Sequence, residues 1–223
     1  MTFRKNNRSD REFDEERRRM IEDQLCRRDI TDARVLAAMR RVPRHLFVPE
    51  RRRVNAYRDG PLEIGFGQTI SQPYIVASMT QHLSLKREGR VLEIGTGCGY
   101  QTAVLAELCE HVFSVEVVPE LLDRARQTLK QLGYDRVRTA LKDGSLGWPE
   151  EAPFDGIVVT AAAPRLPAAL IDQLAVSGVM VIPLTTDRYG RQFLVRVTKD
   201  AEGIKRHTLY EVRFVPMVGE VEK

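Results

Sequence analysis

The sequence predicts an α/β fold: a mostly parallel sheet with helices on both faces, an N-terminal helical extension and a C-terminal antiparallel hairpin. Three observations carry that prediction. A short apolar run, Val91-Leu92-Glu93-Ile94, stops at the glycine-rich turn Gly95-Thr96-Gly97-Cys98-Gly99-Tyr100, which runs into a helical stretch over residues 101–108. Apolar strand-like runs then alternate regularly with helical patterns as far as residue 184. Finally, residues 193–198 and 207–212 flank the turn 200–203 in the manner of a hairpin.

In chain order, residues 1–19 are almost wholly polar and mix both signs of charge. They have too little apolar surface to order themselves and are expected as a flexible leader running into a helix. From Met20, Ile21 and Leu25 give an apolar stripe at helical spacing. A second helix follows, with Thr31 or Asp32 as N-cap, Val35, Leu36 and Met39 on one face, and Val42-Pro43 ending it. This pair has no strand to join and should cover an edge or rim of the sheet. Residues 47–71 read as an irregular stretch that packs through Leu62, Ile64, Phe66 and Ile70. A helix then presents Ile75, Val76, Met79 and Leu83 inward, with Ser71 its candidate N-cap and Pro73 in its first turn.

Beyond the glycine turn, a second strand over 111–116 ends on Glu116, and a helix opens at Pro119 and stops at Gly133. A third strand, 137–141, leads into the loop 142–145. The fourth, 154–160, is near-continuously apolar, as a central parallel strand should be. A helix over 167–174 and a fifth strand over 178–184 complete the alternation.

Composition narrows the function. Lys and Arg number 35 against 31 Asp and Glu, a mild net charge of +4. The clusters Arg17-Arg18-Arg19, Arg27-Arg28, Arg40-Arg41 and Arg51-Arg52-Arg53 read as exposed helix faces. No nucleic-acid-reading motif accompanies them, so no nucleic-acid partner is expected. Three cysteines without a C-x-x-C pair support neither a metal site nor a disulfide framework, and fit a reducing, cytoplasmic setting. The start has no apolar signal segment and no run reaches membrane-spanning length, so no membrane association is expected. Cys98, with no histidine near it in sequence, reads as a small residue beside a ligand and not as a nucleophile.

In open α/β sheets ligands bind beyond the carboxyl ends of the strands. Glu93, Gly95, Gly97, Glu116, Asp143 and Thr160 all fall at or just past such ends. The spacing G-x-G-x-G differs from the dinucleotide fingerprint G-x-G-x-x-G and, with Tyr100 following, suits a ligand without pyrophosphate. Glu116 stands where an acid meets two ribose hydroxyls, and Asp143 where a carboxylate accepts a bond from an adenine amino group. S-adenosylmethionine has adenine, ribose and a cationic end but no phosphate, and the turn flanked by acids fits it. Together with the terminal hairpin, this favours a Rossmann-like class I methyltransferase over a nicotinamide dehydrogenase. A carboxylate acceptor would need no general base, being ionised already at neutral pH. No Asn-Pro-Pro-Tyr-like amide-methylating motif follows the fourth strand, which reads Val159-Thr160-Ala161-Ala162-Ala163-Pro164.

Four segments, 67–74 (GQTISQPY), 91–100 (VLEIGTGCGY), 143–149 (DGSLGWP) and 159–164 (VTAAAP), with 212–216 (VRFVP) near the end, closely resemble the protein-L-isoaspartate O-methyltransferase family. The likeness spans about residues 20–219. The resemblance implies a protein repair enzyme that methylates the free α-carboxylate of L-isoaspartyl residues in damaged proteins and peptides. The ester then closes to a succinimide that partly reopens to aspartate. It also implies Ser71 as the active-site residue, with Thr69 and Ile70 beside it in the substrate groove. The cofactor set is Glu93, Gly95, Thr96, Gly97, Gly99, Glu116, Asp143 and Gly144, for S-adenosyl-L-methionine and no metal. Cys98 and Lys142 depart from residues common in the family. The tail Met217-Val218-Gly219 lacks a hydroxyl that some members carry, so no side-chain cofactor contact is transferred to it.

The organisation expected is a leader, 1–19, and one methyltransferase domain, 20–223. Within it, 20–88 forms the helical and substrate-groove part, 89–185 the cofactor-binding core and 186–223 the hairpin and tail. A cytoplasmic monomer is expected. The alternatives are a methyltransferase of another substrate class, RNA or a small molecule, and a non-catalytic adaptor that binds damaged proteins.

Overall fold

The structure, a computed structural model, describes residues 9–186 and 190–219; the first eight residues of the expected leader lie outside the described residues. From Asp10 onward that leader is not loose but forms helix α1 (Asp10–Arg19). The reason is a reciprocal cap: the Ser9 hydroxyl accepts from the Glu12 amide, and the Glu12 carboxylate accepts from the Ser9 amide at 2.7 Å. One apolar side chain then docks the polar helix, with Phe13 buried and stacked 4.1 Å from the His45 ring. The helix widens into a π-helical stretch, Met20–Cys26, that buries Met20, Ile21 and Leu25. Helix α2 (Ala33–Arg41) is capped by Asp32, whose carboxylate accepts from the Arg34 amide at 2.8 Å.

The irregular stretch that follows contains two short 3-10 turns, Arg44–Phe47 and Glu50–Asn55, and a small antiparallel hairpin, β1 (Leu62–Gly65) with β2 (Gln68–Ile70). Ile64 and Ile70 are buried as expected. Phe66 is not: it is 53 % exposed at the hairpin tip, where Gly65, Phe66 and Gly67 all have positive φ and turn the ring outward. Helix α3 (Pro73–Leu83) takes Gln72 as its N-cap, so Ser71 stands one residue before the cap and does not serve the helix as expected.

The main sheet is built from β3 (Arg90–Ile94), β4 (His111–Glu116), β5 (Arg138–Leu141), β6 (Phe154–Val159), β7 (Leu174–Thr185), β8 (Gln192–Asp200) and β9 (Gly203–Val212). Their spatial order is β5-β4-β3-β6-β7-β8-β9, with β3 to β7 parallel and β8 and β9 antiparallel. Helices α4 (Tyr100–Ala106), α5 (Pro119–Gln131) and α6 (Ala168–Gln173) make the crossovers. Strand β7 begins four residues earlier than its apolar run suggested, because Leu174 already pairs with Phe154 before a register shift around Ser177, which has φ 68°.

Alternate residues of the central strands feed two cores. Val91, Val158 and Val181 face the side covered by α1 to α5, whereas Leu92, Ile157 and Ile182 face the side closed by α6 and Trp148. A sheet buried on both faces explains why these strands read as continuous apolar runs. Strand order runs outward in both directions from the β3–β6 pair, which leaves a crevice at their carboxyl ends.

Candidate active site

The crevice is a cleft of about 870 Å³ above the ends of β3, β4 and β6. Its floor is the glycine turn. The Gly95 and Thr96 amides both donate to the Val115 carbonyl, at 2.9 and 3.1 Å, and pin the turn to β4. Gly95 has φ 92°, and a Cβ there would lie 2.4 Å from Thr160 Oγ1. Only glycine therefore keeps the cradle open between β3 and β6. Gly144 is closed in similarly, its hypothetical Cβ 2.3 Å from Ile94 Cγ2.

Three acids stand at successive strand ends, in three different environments. Glu93 is fully buried; its Oε2 accepts from the Thr102 and Ser114 hydroxyls, whereas Oε1 has no partner. Thr96 extends the network, its Oγ1 2.6 Å from Ser114 Oγ. Burial pushes the Glu93 carboxyl up to about 8, an effect the two hydroxyl bonds only partly oppose. Glu116 lines the same cleft and is held by backbone: Oε2 accepts from the Gly97 amide at 2.7 Å, and Oε1 from the Val117 and Val118 amides at 2.8 and 3.0 Å. Asp143 instead turns back on its own loop, its Oδ1 accepting from the Ser145 amide and hydroxyl at 2.9 and 2.8 Å.

The structure thus brings Thr69, Ile70, Ser71, Glu93, Gly95, Thr96, Gly97, Glu116 and Gly144 to one wall. Asp143 and Gly99 do not line it. Gly99 is the N-cap of α4 and packs against Ala125 and Leu129 of α5, a fitting role and not a contact with the cleft. Gln101, Lys142 and the tail from Val215 to Val218, none of them in the set expected from sequence, also line the cleft. The tail is delivered by backbone: the Ala162 amide donates to the Val215 carbonyl and the Met217 amide to the Ala162 carbonyl, both at 2.8 Å. Its only sequence signal was the VRFVP segment. The half-buried Cys98 thiol is pushed up to about 11 by burial, which removes a thiolate at neutral pH.

A second, outer groove of about 950 Å³ adjoins the first, and the two share Thr69, Ser71, Thr160 and Val215. Ser71 sits at this junction with its carbonyl bonded by Arg44 Nη2 at 2.7 Å, and its hydroxyl has no hydrogen-bond partner among the described residues.

The donor set fits a cationic adenosine ligand. The orphaned, buried Glu93 Oε1 lacks a polar partner, the glycine turn leaves room for close approach, and Glu116 is rigid with lone pairs to spare. Among the described residues no group of three His, Cys, Asp or Glu side chains could hold a metal ion. Seven strands in this order, with the glycine turn after β3 and an acid ending β4, define a class I S-adenosylmethionine-dependent methyltransferase fold. The chain belongs to the Protein-L-isoaspartate(D-aspartate) O-methyltransferase family, whose pattern matches residues 15–222.

Among its relatives, the protein-L-isoaspartate O-methyltransferase of Opitutus terrae is 58 % identical over 205 residues, covering 92 % of this chain and 88 % of that protein. The protein-L-isoaspartate O-methyltransferase 1 of Syntrophobacter fumaroxidans is 55 % identical, covering 93 % and 96 %. A solved Plasmodium falciparum protein-L-isoaspartate O-methyltransferase, in complex with S-adenosyl-L-homocysteine, is similar at TM-score 0.78 and 30 % identity over 89 % of this chain and 96 % of that one. Another solved protein-L-isoaspartate O-methyltransferase gives TM-score 0.83 at 27 % identity, over 92 % of this chain and 67 % of that chain.

Glu93 makes a prediction at this point. Its folded value of about 8 lies above the ordinary 4.5, so the folded chain keeps a proton that the unfolded chain releases. The contribution is therefore lost as pH rises from about 4.5 to 8, at no more than about 1.4 kcal/mol per pH unit. Glu93→Gln should flatten this part of the stability profile, measured as thermal midpoint against pH without cofactor. Parallel profiles for the two proteins would show that Glu93 is ionised throughout.

Proposed function

We propose that this chain transfers a methyl group from S-adenosyl-L-methionine to the free α-carboxylate of L-isoaspartyl residues in damaged proteins and peptides. The observation that carries the reading is the meeting of the cofactor cleft and the outer groove at Ser71. A bound cofactor supplies an electrophilic methyl group, and the protein has to present an oxygen nucleophile to it. Glu116 would hold the ribose hydroxyls, Glu93 would face the cationic end, and Gly95, Thr96, Gly97 and Gly144 would leave the backbone close to the ligand. Asp143, turned onto Ser145, is assigned to shaping the loop beside the adenine position. Ser71 donates its hydroxyl to the acceptor carboxylate, and Thr69 and Ile70 line the approach. No proton need be removed, since the acceptor is ionised at neutral pH. The residues act by alignment and by keeping water from the reacting atoms.

The ester formed leaves the protein and closes to a succinimide without further help from the chain, as the next backbone nitrogen attacks the ester carbonyl and methanol departs. The three unpaired cysteines suit a reducing cytoplasm, and the chain is proposed to act there as a monomer. No helix of the described residues is long and apolar enough to cross a membrane.

The test is transfer of labelled methyl to a synthetic isoaspartyl peptide, with the matching aspartyl peptide and RNA as controls. Base-labile label on the isoaspartyl peptide alone is expected; base-stable label on RNA would overturn the substrate assignment. In the same assay Ser71→Ala should lose about tenfold in kcat/KM, the worth of one hydrogen bond to a charged group at a partly wet site. Its affinity for S-adenosyl-L-homocysteine should stay unchanged. An equally active variant would leave Ser71 with only a backbone role.

A further inference from the structure

Among the described residues one guanidinium is completely buried, and none of them gives it an anion. Arg44, in the 3-10 turn after α2, is 0 % exposed. Nε donates to the Ala56 carbonyl and Nη2 to the Ser71 carbonyl, each at 2.7 Å, and the group lies 4.9 Å from the Tyr100 ring centroid. Nη1 has no partner, and no carboxylate lies within ion-pair distance among the described residues. The titratable groups that face it are Tyr57, Tyr100 and Cys98. All three are neutral at physiological pH: burial pushes Tyr57 up to about 12, Cys98 up to about 11, and Tyr100 upward as well.

An unpaired buried charge is costly, and its field is poorly screened by the surrounding protein. Here that field has a direction. Of the groups around Arg44, Ser71, Tyr100 and Cys98 line the cleft, and Ser71 also lines the outer groove. An anion placed against Ser71 would be a countercharge one residue away from the guanidinium, which already bonds the Ser71 carbonyl. A neutral group of the same shape would gain far less from it, having only a dipole to offer.

We propose that Arg44 is a positioning residue that gives the acceptor subsite its preference for a carboxylate, acting through the wall formed by Ser71. The proposal rests on the reading of Ser71 as the acceptor subsite. It differs from a purely structural role, in which Arg44 only ties residues 56 and 71 together. A structural tie would hold charged and neutral acceptors alike.

The experiment compares two blocked peptides, one with an isoaspartyl α-carboxylate and one with the α-carboxamide in its place. Calorimetry on the full chain saturated with S-adenosyl-L-homocysteine gives both affinities within each variant. The wild-type protein should favour the carboxylate by tenfold or more, a ratio of about the size one poorly screened charge contributes. R44Q should bring the ratio to near unity. Equal ratios in wild type and R44Q overturn the proposal. Absence of any preference in the wild type overturns instead the reading of Ser71 itself.

If R44Q does not fold, R44K alone decides. Burial lowers a lysine pKa by up to about 3–5 units, so its carboxylate preference should fall as pH rises between about 5 and 9 while the arginine protein stays level. Tyr57, Tyr100 and Cys98 do not titrate in that window. A level preference in both proteins overturns the proposal.

Discussion

Glu116→Ala should weaken S-adenosyl-L-homocysteine binding about a hundredfold, because two hydrogen bonds to a charged group are lost, each worth about 1.5 kcal/mol or more. The carboxylate is well placed for that role. It ends β4, and three backbone amides, from Gly97, Val117 and Val118, fix both of its oxygens. A group held in this way has no rotamer freedom left to lose when a ligand arrives. The same amides complicate the experiment, since truncation leaves them unpaired and should lower the melting midpoint as well. The comparison that isolates the ribose role is adenosine. It shares the ribose and lacks the amino-acid end, so its affinity should fall by the same factor. A variant that binds adenosine normally but S-adenosyl-L-homocysteine weakly would place Glu116 elsewhere on the ligand.

Glu116 was legible in the sequence because it obeys a rule of position: an acid at the end of the strand after the glycine turn faces the crevice. Asp143 follows the same rule of position, just past the end of β5, yet does not line the cleft. There the residue two positions on is Ser145, and an aspartate so placed can satisfy its own loop by accepting from that amide and hydroxyl. Strand order and helix order followed from the alternation of apolar runs, since a sheet covered on both faces leaves its pattern in every central strand.

What pattern does not carry is long-range placement. Residues 215–218 reach the cleft only because β8 and β9 return the chain beside Ala162, a contact between segments some fifty residues apart. Helix α1 was missed for a different reason. Its cap is written plainly in Ser9 and Glu12, but a helix that docks through one phenylalanine has almost no apolar stripe to read. The uncompensated charge of Arg44 was invisible for the same reason as the tail: among many arginines in the chain, only the packing tells which one has been taken out of water.

The second large effect is expected from Gly95→Ala, which should reduce cofactor affinity by more than a hundredfold and lower the melting midpoint by several degrees. Two costs combine. At φ 92° an alanine is strained by about 1–2 kcal/mol. Its Cβ would also lie 2.4 Å from Thr160 Oγ1, so the turn and the end of β6 must part. That hydroxyl now bonds the Ile94 and Gly95 carbonyls at 3.0 and 2.9 Å, and the Thr160 amide bonds the Ile94 carbonyl at 2.9 Å. Separation would therefore open the β3–β6 seam at the point where the ligand sits.

The two costs can be told apart by removing the hydroxyl. Thr160→Ala in the Gly95→Ala background leaves the nearest remaining atom, Thr160 Cβ, at 3.8 Å and the φ strain untouched. The double variant should recover part of the lost affinity, a coupling that independent sites would not show. Measured by calorimetry with S-adenosyl-L-homocysteine, full affinity in the single variant would mean that the turn is not where the ligand approaches the backbone. A double variant no better than the single one would assign the whole effect to backbone strain and none to the collision with Thr160.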